Sequence, residues 1–231
     1  MYIKGNFIEP HTDEWLMARL GHFTSSEWHK LFQGGRKKDD YFGTGAITYI
    51  NEKVAEILTG VPKEMIKGLP AIDWGVANEP DAAFAYEKTT NQICSHSGFY
   101  EYNKVFGGTP DREILHNGKI IIEIKCPHVT SNFIAACKIN SGIELLAFDK
   151  EKYSQCQGNM LVTESEMCDL VYFDPRIKDP DYQIKIIRIY RDEPFINEGL
   201  ERLDAATDIL IESVETIINM QERNSQFRIA S

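Results

Sequence analysis

The sequence predicts a mixed α/β fold with a central β-sheet flanked by helices. Apolar residues recur at helical spacing in residues 46–58 and again after Pro194. Between them, residues 99–106 and 111–125 have the short, β-branched and alternating character of strands, as do 169–173 and 183–191. A helical segment over about 147–162 separates the two strand groups.

The elements follow in order. Thr24-Ser25-Ser26-Glu27 has the S/T-x-x-E spacing of a capping box, which predicts a helix with Thr24 at the N-cap and Glu27 reaching back from the third position. A Gly-rich basic loop follows, Gly34-Gly35-Arg36-Lys37-Lys38, in which Asp39-Asp40 dilute the charge. Ala46, Ile47, Ile50, Val54, Ile57 and Leu58 then line one helix face, closed by Gly60. Trp74 to Thr90 forms a second helix. Pro80 belongs in a first turn or at a kink, so Glu79 is expected near the N-terminus or at a bend. His116-Asn117-Gly118 suits a hairpin turn. In the last segment Ile196, Leu200, Leu203, Leu210, Val214, Ile217 and Ile218 share a face. Residues 192–216 carry eight acids and only Arg202 as a base, which fits a solvated face or an acidic partner surface.

With 231 residues and no linker or repeat, the chain reads as one domain over 1–231, with a core at about 13–193 and an acidic amphipathic helix at about 195–222. The formal charge is −10. Phosphate contacts need Lys and Arg, so this balance excludes a protein that coats nucleic acid by charge alone. The excess lies wholly in residues 71–231; residues 1–70 hold nine basic and nine acidic side chains. The sequence offers no membrane-length apolar run and no secretory leader, and five cysteines without C-x-x-C spacing suit a reduced, cytoplasmic setting.

The informative stretch is Pro110-Asp111, then eleven residues, then Glu123-Ile124-Lys125. In a strand, Ile120, Ile122, Ile124 and Cys126 point one way and Ile121, Glu123 and Lys125 the other, with Glu123 and Lys125 about 7 Å apart along the chain. A turn at Asn117-Gly118 folds the preceding segment back, so Asp111 can lie beside Glu123. Two converging carboxylates suit a hard cation such as Mg²⁺. A neighbouring lysine can orient a water or neutralise charge on a phosphate. On their own, Asp111 also fits a turn and Glu123–Lys125 an exposed ion pair. The whole combination is the P-D-(D/E)-x-K pattern of metal-dependent nucleases.

Around it, the chain resembles the phage lambda exonuclease family, the viral alkaline-exonuclease type of recombination nuclease. The matching residues are Glu14-Trp15 with Arg19-Leu20-Gly21, Thr24-Ser25-Ser26-Glu27, Trp74-Gly75 with Glu79, Pro110-Asp111, Glu123-Ile124-Lys125-Cys126-Pro127 and Tyr153-Ser154-Gln155-Cys156-Gln157. Asp174-Pro175-Arg176 and Arg191-Asp192-Glu193 add weaker matches. The resemblance implies a restriction-endonuclease-like core and a Mg²⁺-dependent exonuclease, with Mn²⁺ substituting and one or two ions per site. The enzyme would degrade linear duplex DNA 5′ to 3′, release 5′-mononucleotides and leave a 3′ overhang for strand annealing. It implies metal ligation by Asp111, Glu123, the Ile124 carbonyl and Glu79. Lys125 would position the attacking water and Gln155 would support the site. It also implies a homotrimeric ring, a single-strand annealing protein as partner, no membrane association, and a bacterial host cytoplasm. The 5′-phosphate pocket falls on Arg19, Ser25 and Ser26, where a helix N-terminus and an Arg fork both favour an anion.

Arg112 stands where the family usually has a small residue; it can contact the scissile strand or point to solvent. Arg36, Lys37 and Lys38 are candidate DNA contacts. The same core can also serve an endonuclease of restriction or junction-cleaving type, or a non-catalytic DNA-end-binding module. His11, His22 and His29 fit no zinc spacing, and neither Gly107-Gly108 nor Gly34-Gly35 belongs to a phosphate loop. Tyr41-Phe42 and Phe99-Tyr100 suit either base stacking or core packing.

Overall fold

The computed structural model describes residues 3–4, 8, 10, 12–35, 41–63, 69–114 and 120–229. In chain order these form β1 (Ile3–Lys4), α1 (Asp13–Ala18), β2 (Phe23–Thr24), a 3-10 helix (Ser25–Phe32), α2 (Thr44–Thr59), α3 (Pro70–Thr90), β3 (Cys94–His96), β4 (Tyr100–Tyr102), β5 (Phe106–Gly108), β6 (Arg112–Ile114) and β7 (Ile120–Lys125). Then follow α4 (Thr130–Ala136), α5 (Gly142–Phe148), α6 (Lys150–Thr163), β8 (Met167–Phe173), a 3-10 turn (Pro180–Tyr182), β9 (Ile184–Tyr190) and α7 (Glu193–Ile229).

The main sheet has the order β3-β6-β7-β8-β9, with β7 and β8 parallel and the other neighbours antiparallel. Helices α4–α6 make the crossover that a parallel pair requires. A smaller sheet, β1-β4-β5-β2, stands apart from it. The expected mixed sheet flanked by helices is therefore observed.

The central strands are covered on both faces, which is why β7 reads Ile-Ile-Ile-Glu-Ile-Lys rather than as a clean polar alternation. On one face Ile120, Ile122, Ile124 and Cys126 pack with Ile114, Val171 and Phe173 against Ala82, Ala83 and Tyr86 of α3. On the other, Ile121, Leu170, Ile187 and Ile189 join a larger core with Trp28, Tyr49, Met160, Ile196 and Leu203. Each large side chain fully buried there contributes roughly 1.5–3 kcal/mol.

Local signals set most boundaries. The Thr12 hydroxyl accepts from Trp15 N at 3.2 Å to start α1, and the Asp149 carboxylate accepts from Lys152 N at 3.1 Å to start α6. Gly60 ends α2 at φ +67°, a left-handed backbone that glycine adopts without a Cβ penalty.

Several expectations change. Thr24 does precede a helix, but its side chain makes no capping bond, and the helix is 3-10 rather than α. Glu27 turns to Lys30 and Lys63 instead of reaching back, so the capping box is not formed. Helix α3 begins at Pro70, where a missing N–H is harmless, and runs unbroken through Pro80. Glu79 consequently sits mid-helix, one residue before the proline. The strand reading of 99–106 divides into β4 and β5 because Asn103 and Lys104 take positive φ in the turn between them. The predicted Asn117-Gly118 turn lies outside the described residues, although β6 and β7 pair antiparallel around it. The helix over 147–162 is two, joined at Asp149. On α7, Ile196, Leu203 and Leu210 are buried as expected, whereas Ile218 is exposed. The acids Glu198, Glu201, Asp204, Asp208, Glu212 and Glu215 all face solvent.

Candidate active site

The end of β7 carries the site, and strand alternation aims it. Glu123 is 2% exposed and faces α6. Its Oε1 accepts from Lys125 Nζ and from Gln155 Nε2, both at 2.6 Å, and its Oε2 accepts from Asn159 Nδ2 at 2.9 Å. Gln155 and Asn159 are one turn apart on α6, so both reach the same carboxylate. Asp111 lies just before β6. Its N–H donates to the Ile122 carbonyl at 3.1 Å, and its Oδ2 accepts from Ile124 N at 2.6 Å. The antiparallel register of β6 on β7 thus places Asp111 beside Glu123.

Burial raises the Asp111 pKa well above the ordinary carboxylate range, and the charges of Glu123 and Glu79 push the same way; Lys125 and the Ile124 N–H oppose them. For Lys125 burial works against the charge, but Glu123 and Asp111 outweigh it and hold the ammonium above its usual range. The Cys126 thiol is pushed up to about 12, first by burial and then by Glu79 and Asp111. The field at the end of β7 is therefore negative.

Glu79 reaches the site from α3, where Arg112 Nη1 donates to its Oε1 at 2.6 Å. The same nitrogen donates to the Asp111 carbonyl at 2.6 Å. Arg112 is only 5% exposed. It neither points to solvent nor lies open to an incoming strand, which corrects both readings of this residue; the carboxylate of Glu79 draws it inward.

Among the described residues, no three His, Cys, Asp or Glu side chains converge into a ready-made cation cage. The donors present still fit Mg²⁺. Two carboxylates and the Ile124 carbonyl offer hard oxygen ligands, and Mg²⁺ keeps several waters rather than demanding a full protein cage. Asp111, desolvated beside a second carboxylate, is a group that a cation relieves.

The second cluster surrounds Tyr49. Its hydroxyl accepts from Thr24 N at 2.8 Å, and Lys30 Nζ lies 4.9 Å from the ring centroid. Arg19 is half-buried, with its guanidinium 4.0 Å from the centroid of Trp15. Burial lowers its pKa, against the pull of Tyr49, Glu27 and Glu56. Among the described residues it hydrogen-bonds no carboxylate. The Ser26 hydroxyl sits 3.3 Å from Thr24 Oγ1. Ser25 does not join them: its hydroxyl is buried and donates to Asn159 Oδ1 at 2.5 Å. Arg36, Lys37 and Lys38 lie outside the described residues.

Other sequence candidates take structural places. Phe99 is buried, and Tyr100 donates to Glu113 at 2.6 Å, which removes that pair from base stacking. Tyr41 stays half exposed beneath the Arg202 guanidinium. His22 approaches Glu101 and His29 approaches Glu151, in unrelated surroundings.

Asn159 was missed by sequence reasoning. A signal existed, since it is a polar residue four positions after Gln155 in a helix otherwise buried around it. The buried pair Lys53–Glu56, 2.9 Å apart, gave no such signal.

A family profile described as YqaJ-like viral recombinase domain matches residues 14–166. The chain belongs to the YqaJ-like viral recombinase family. The expectation of a phage-type recombination family is thereby met. Among solved structures, the chain is similar to an alkaline exonuclease, LHK-Exo from Laribacter hongkongensis, at 26% identity and TM-score 0.74, over 92% of this chain and 99% of that one. The same figures hold for LHK-Exo in complex with dAMP. A phage-related exonuclease from Haemophilus somnus 129PT shares the fold at TM-score 0.67 and 18% identity, over 87% of this chain and 99% of that one. No curated protein sequence matches the chain. The residues of both clusters, from Arg19 to Asn159, lie inside the segment matched to the YqaJ-like family. Among the described residues no helix is long and apolar enough to cross a membrane.

Proposed function

We propose that this YqaJ-like protein is a Mg²⁺-dependent exonuclease that degrades linear duplex DNA 5′ to 3′, releasing 5′-mononucleotides and leaving a 3′ single strand for annealing. The observation that carries this reading is the juxtaposition of Asp111 and Glu123 across β6 and β7, with Lys125 bonded to Glu123 at 2.6 Å. The likeness to an exonuclease, and to the same protein bound to a nucleoside monophosphate, supports it.

Asp111, Glu123 and the Ile124 carbonyl would hold one or two ions, with Mn²⁺ able to replace Mg²⁺ and Glu79 close enough to hold a coordinated water. Mg²⁺, when bound, supplies positive charge against the developing phosphorane oxygens. Lys125, held as an ammonium, acts as a donor that orients the attacking water and neutralises charge; it is not the base. Gln155 and Asn159 fix the Glu123 carboxylate so that its oxygens do not reorganise during attack. Water attacks the first internucleotide phosphorus and the P–O3′ bond breaks. The departing mononucleotide keeps its 5′-phosphate, and the shortened strand acquires a new one. A cleft of about 450 Å³ beside Lys125, lined by Cys126, Asn132, Phe148, Lys152 and Tyr172, is where the cut strand would lie. Arg19 and Ser26 would hold the terminal 5′-phosphate. The whole chain would act as one nuclease unit in a bacterial cytoplasm, as a homotrimeric ring delivering single strands to an annealing protein.

Digestion of linear duplex labelled at either end tests this. Release of the 5′ label as mononucleotide in Mg²⁺, with covalently closed circles left intact, is the expected result. Cleavage of closed circles identifies an endonuclease, and binding to ends without cleavage a non-catalytic module.

A further inference from the structure

We propose that Asn159 is a positioning residue that couples occupancy of the 5′-phosphate site to the orientation of Glu123. This rests on the assignment of Arg19 and Ser26 to the terminal phosphate. Two hydrogen bonds define the link. Ser25 Oγ donates to Asn159 Oδ1 at 2.5 Å, and Asn159 Nδ2 donates to Glu123 Oε2 at 2.9 Å. All three residues are buried. The path joins the first residue of the 3-10 helix, next to Ser26, with the carboxylate at the end of β7.

The link is built tightly. A Cβ on Gly108 would stand 2.5 Å from Ser25 Oγ and 2.6 Å from Asn159 Oδ1, and a Cβ on Gly158 would stand 2.8 Å from Ser25 Cβ. Two glycines on separate elements thus leave room only for this contact. Both functional groups of the Asn159 amide are used, one on each side, so the amide cannot flip without breaking both bonds. The two Glu123 oxygens are also held differently: Lys125 and Gln155 share Oε1, while among the described residues Asn159 donates to Oε2. A shift of the Ser25 backbone, as Ser26 and the helix start close on a phosphate, therefore passes to Oε2 and leaves the Lys125 contact in place. An end carrying a 5′-phosphate would in this way align Glu123, and an end lacking it would be bound with Glu123 misaligned. Each cut exposes the next 5′-phosphate, so the signal is renewed at every step.

The test compares turnover and binding on duplexes that differ only in a 5′-phosphate or a 5′-hydroxyl. Three proteins are used: the parent, Ser25→Ala and Asn159→Ala. Binding is measured in Ca²⁺ to suppress cleavage. The parent is expected to favour phosphorylated ends in both kcat and Kd. In either variant the kcat ratio between the two ends should fall by roughly tenfold, the scale of one hydrogen bond to a charged group, while the Kd ratio set by Arg19 and Ser26 persists. The double variant should reduce the kcat ratio no further than Asn159→Ala, because the two bonds act in series. A purely structural role lowers turnover on both ends by the same factor and leaves the ratio intact, which overturns the coupling. An unchanged Ser25→Ala protein overturns it too. A parent indifferent to the 5′-phosphate overturns the phosphate site and the coupling together, while its cleavage of linear ends leaves the nuclease assignment standing.

Discussion

Arg112 Nη1 lies 2.6 Å from Glu79 Oε1, so the residue directly after Asp111 grips an acid presented by a different layer of the fold. The pair ties α3 to β6, and the second bond of the same nitrogen, to the Asp111 carbonyl, ties both to the segment that carries Asp111. Pro80 removes the donor for the Val76 carbonyl and loosens α3 next to Glu79; Arg112 holds the acid in place there.

Replacing Arg112 by Ala should destabilise the protein by roughly 1.5–3 kcal/mol, the range for a hydrogen bond to a charged partner. Lysine should recover only part of this, since its shorter stem and compact ammonium do not fill the buried space that the planar guanidinium occupies. Urea denaturation midpoints of the parent, Arg112→Ala and Arg112→Lys check the order. A midpoint for Arg112→Ala equal to the parent's would show that the pair contributes nothing.

Asp111 gives a prediction about metal and pH. Its folded pKa is raised, so the folded state holds the proton more tightly than the unfolded chain does. The associated stability is present below the unfolded carboxylate pKa and is lost as pH rises through the raised folded value. In chelator, Asp111→Asn should therefore melt higher than the parent at neutral pH, with the gap closing in acid. Mg²⁺ should raise the parent's Tm by mass action and the variant's much less. Calorimetric scans with and without Mg²⁺ at two pH values measure both effects. Cleavage by Asp111→Asn, Glu123→Gln or Lys125→Ala should fall by about 10²-fold or more.

Arg19 tests the proposed 5′-phosphate site. Its guanidinium, stacked on Trp15 and hydrogen-bonded to no acid among the described residues, is left with donors for an anion. Arg19→Ala should weaken binding of 5′-phosphorylated duplex roughly 10- to 150-fold, and hydroxyl-ended duplex far less. Fluorescence anisotropy with both ends decides it; equal losses would remove Arg19 from the pocket.

Gly199 on α7 tests the packing that carries the 3-10 helix. A Cβ there would stand 2.2 Å from the Trp28 ring. Gly199→Ala should therefore lower stability by about 1–3 kcal/mol through overpacking, despite alanine's better helix propensity. Denaturant midpoints would expose the opposite sign at once.

What the sequence determined by itself is whatever a local period dictates. The two faces of β7, the stripe on α7 and the stop at Gly60 follow from periods of 2 and 3.6 and from one residue's φ, all properties of adjacent residues. The Asp111–Glu123 pair was legible because the two residues are only twelve positions apart, on neighbouring segments that pair antiparallel. Tertiary structure alone decided the rest. Ser25 and Asn159 are 134 positions apart, and Glu79 and Arg112 are 33 apart on different layers. No local pattern says that one serine of Ser25-Ser26 turns into the core while the other stays with Thr24, or that Arg112 turns inward. Those choices were made when packed layers closed around buried polar groups, because each buried donor or acceptor must then find its partner within the protein.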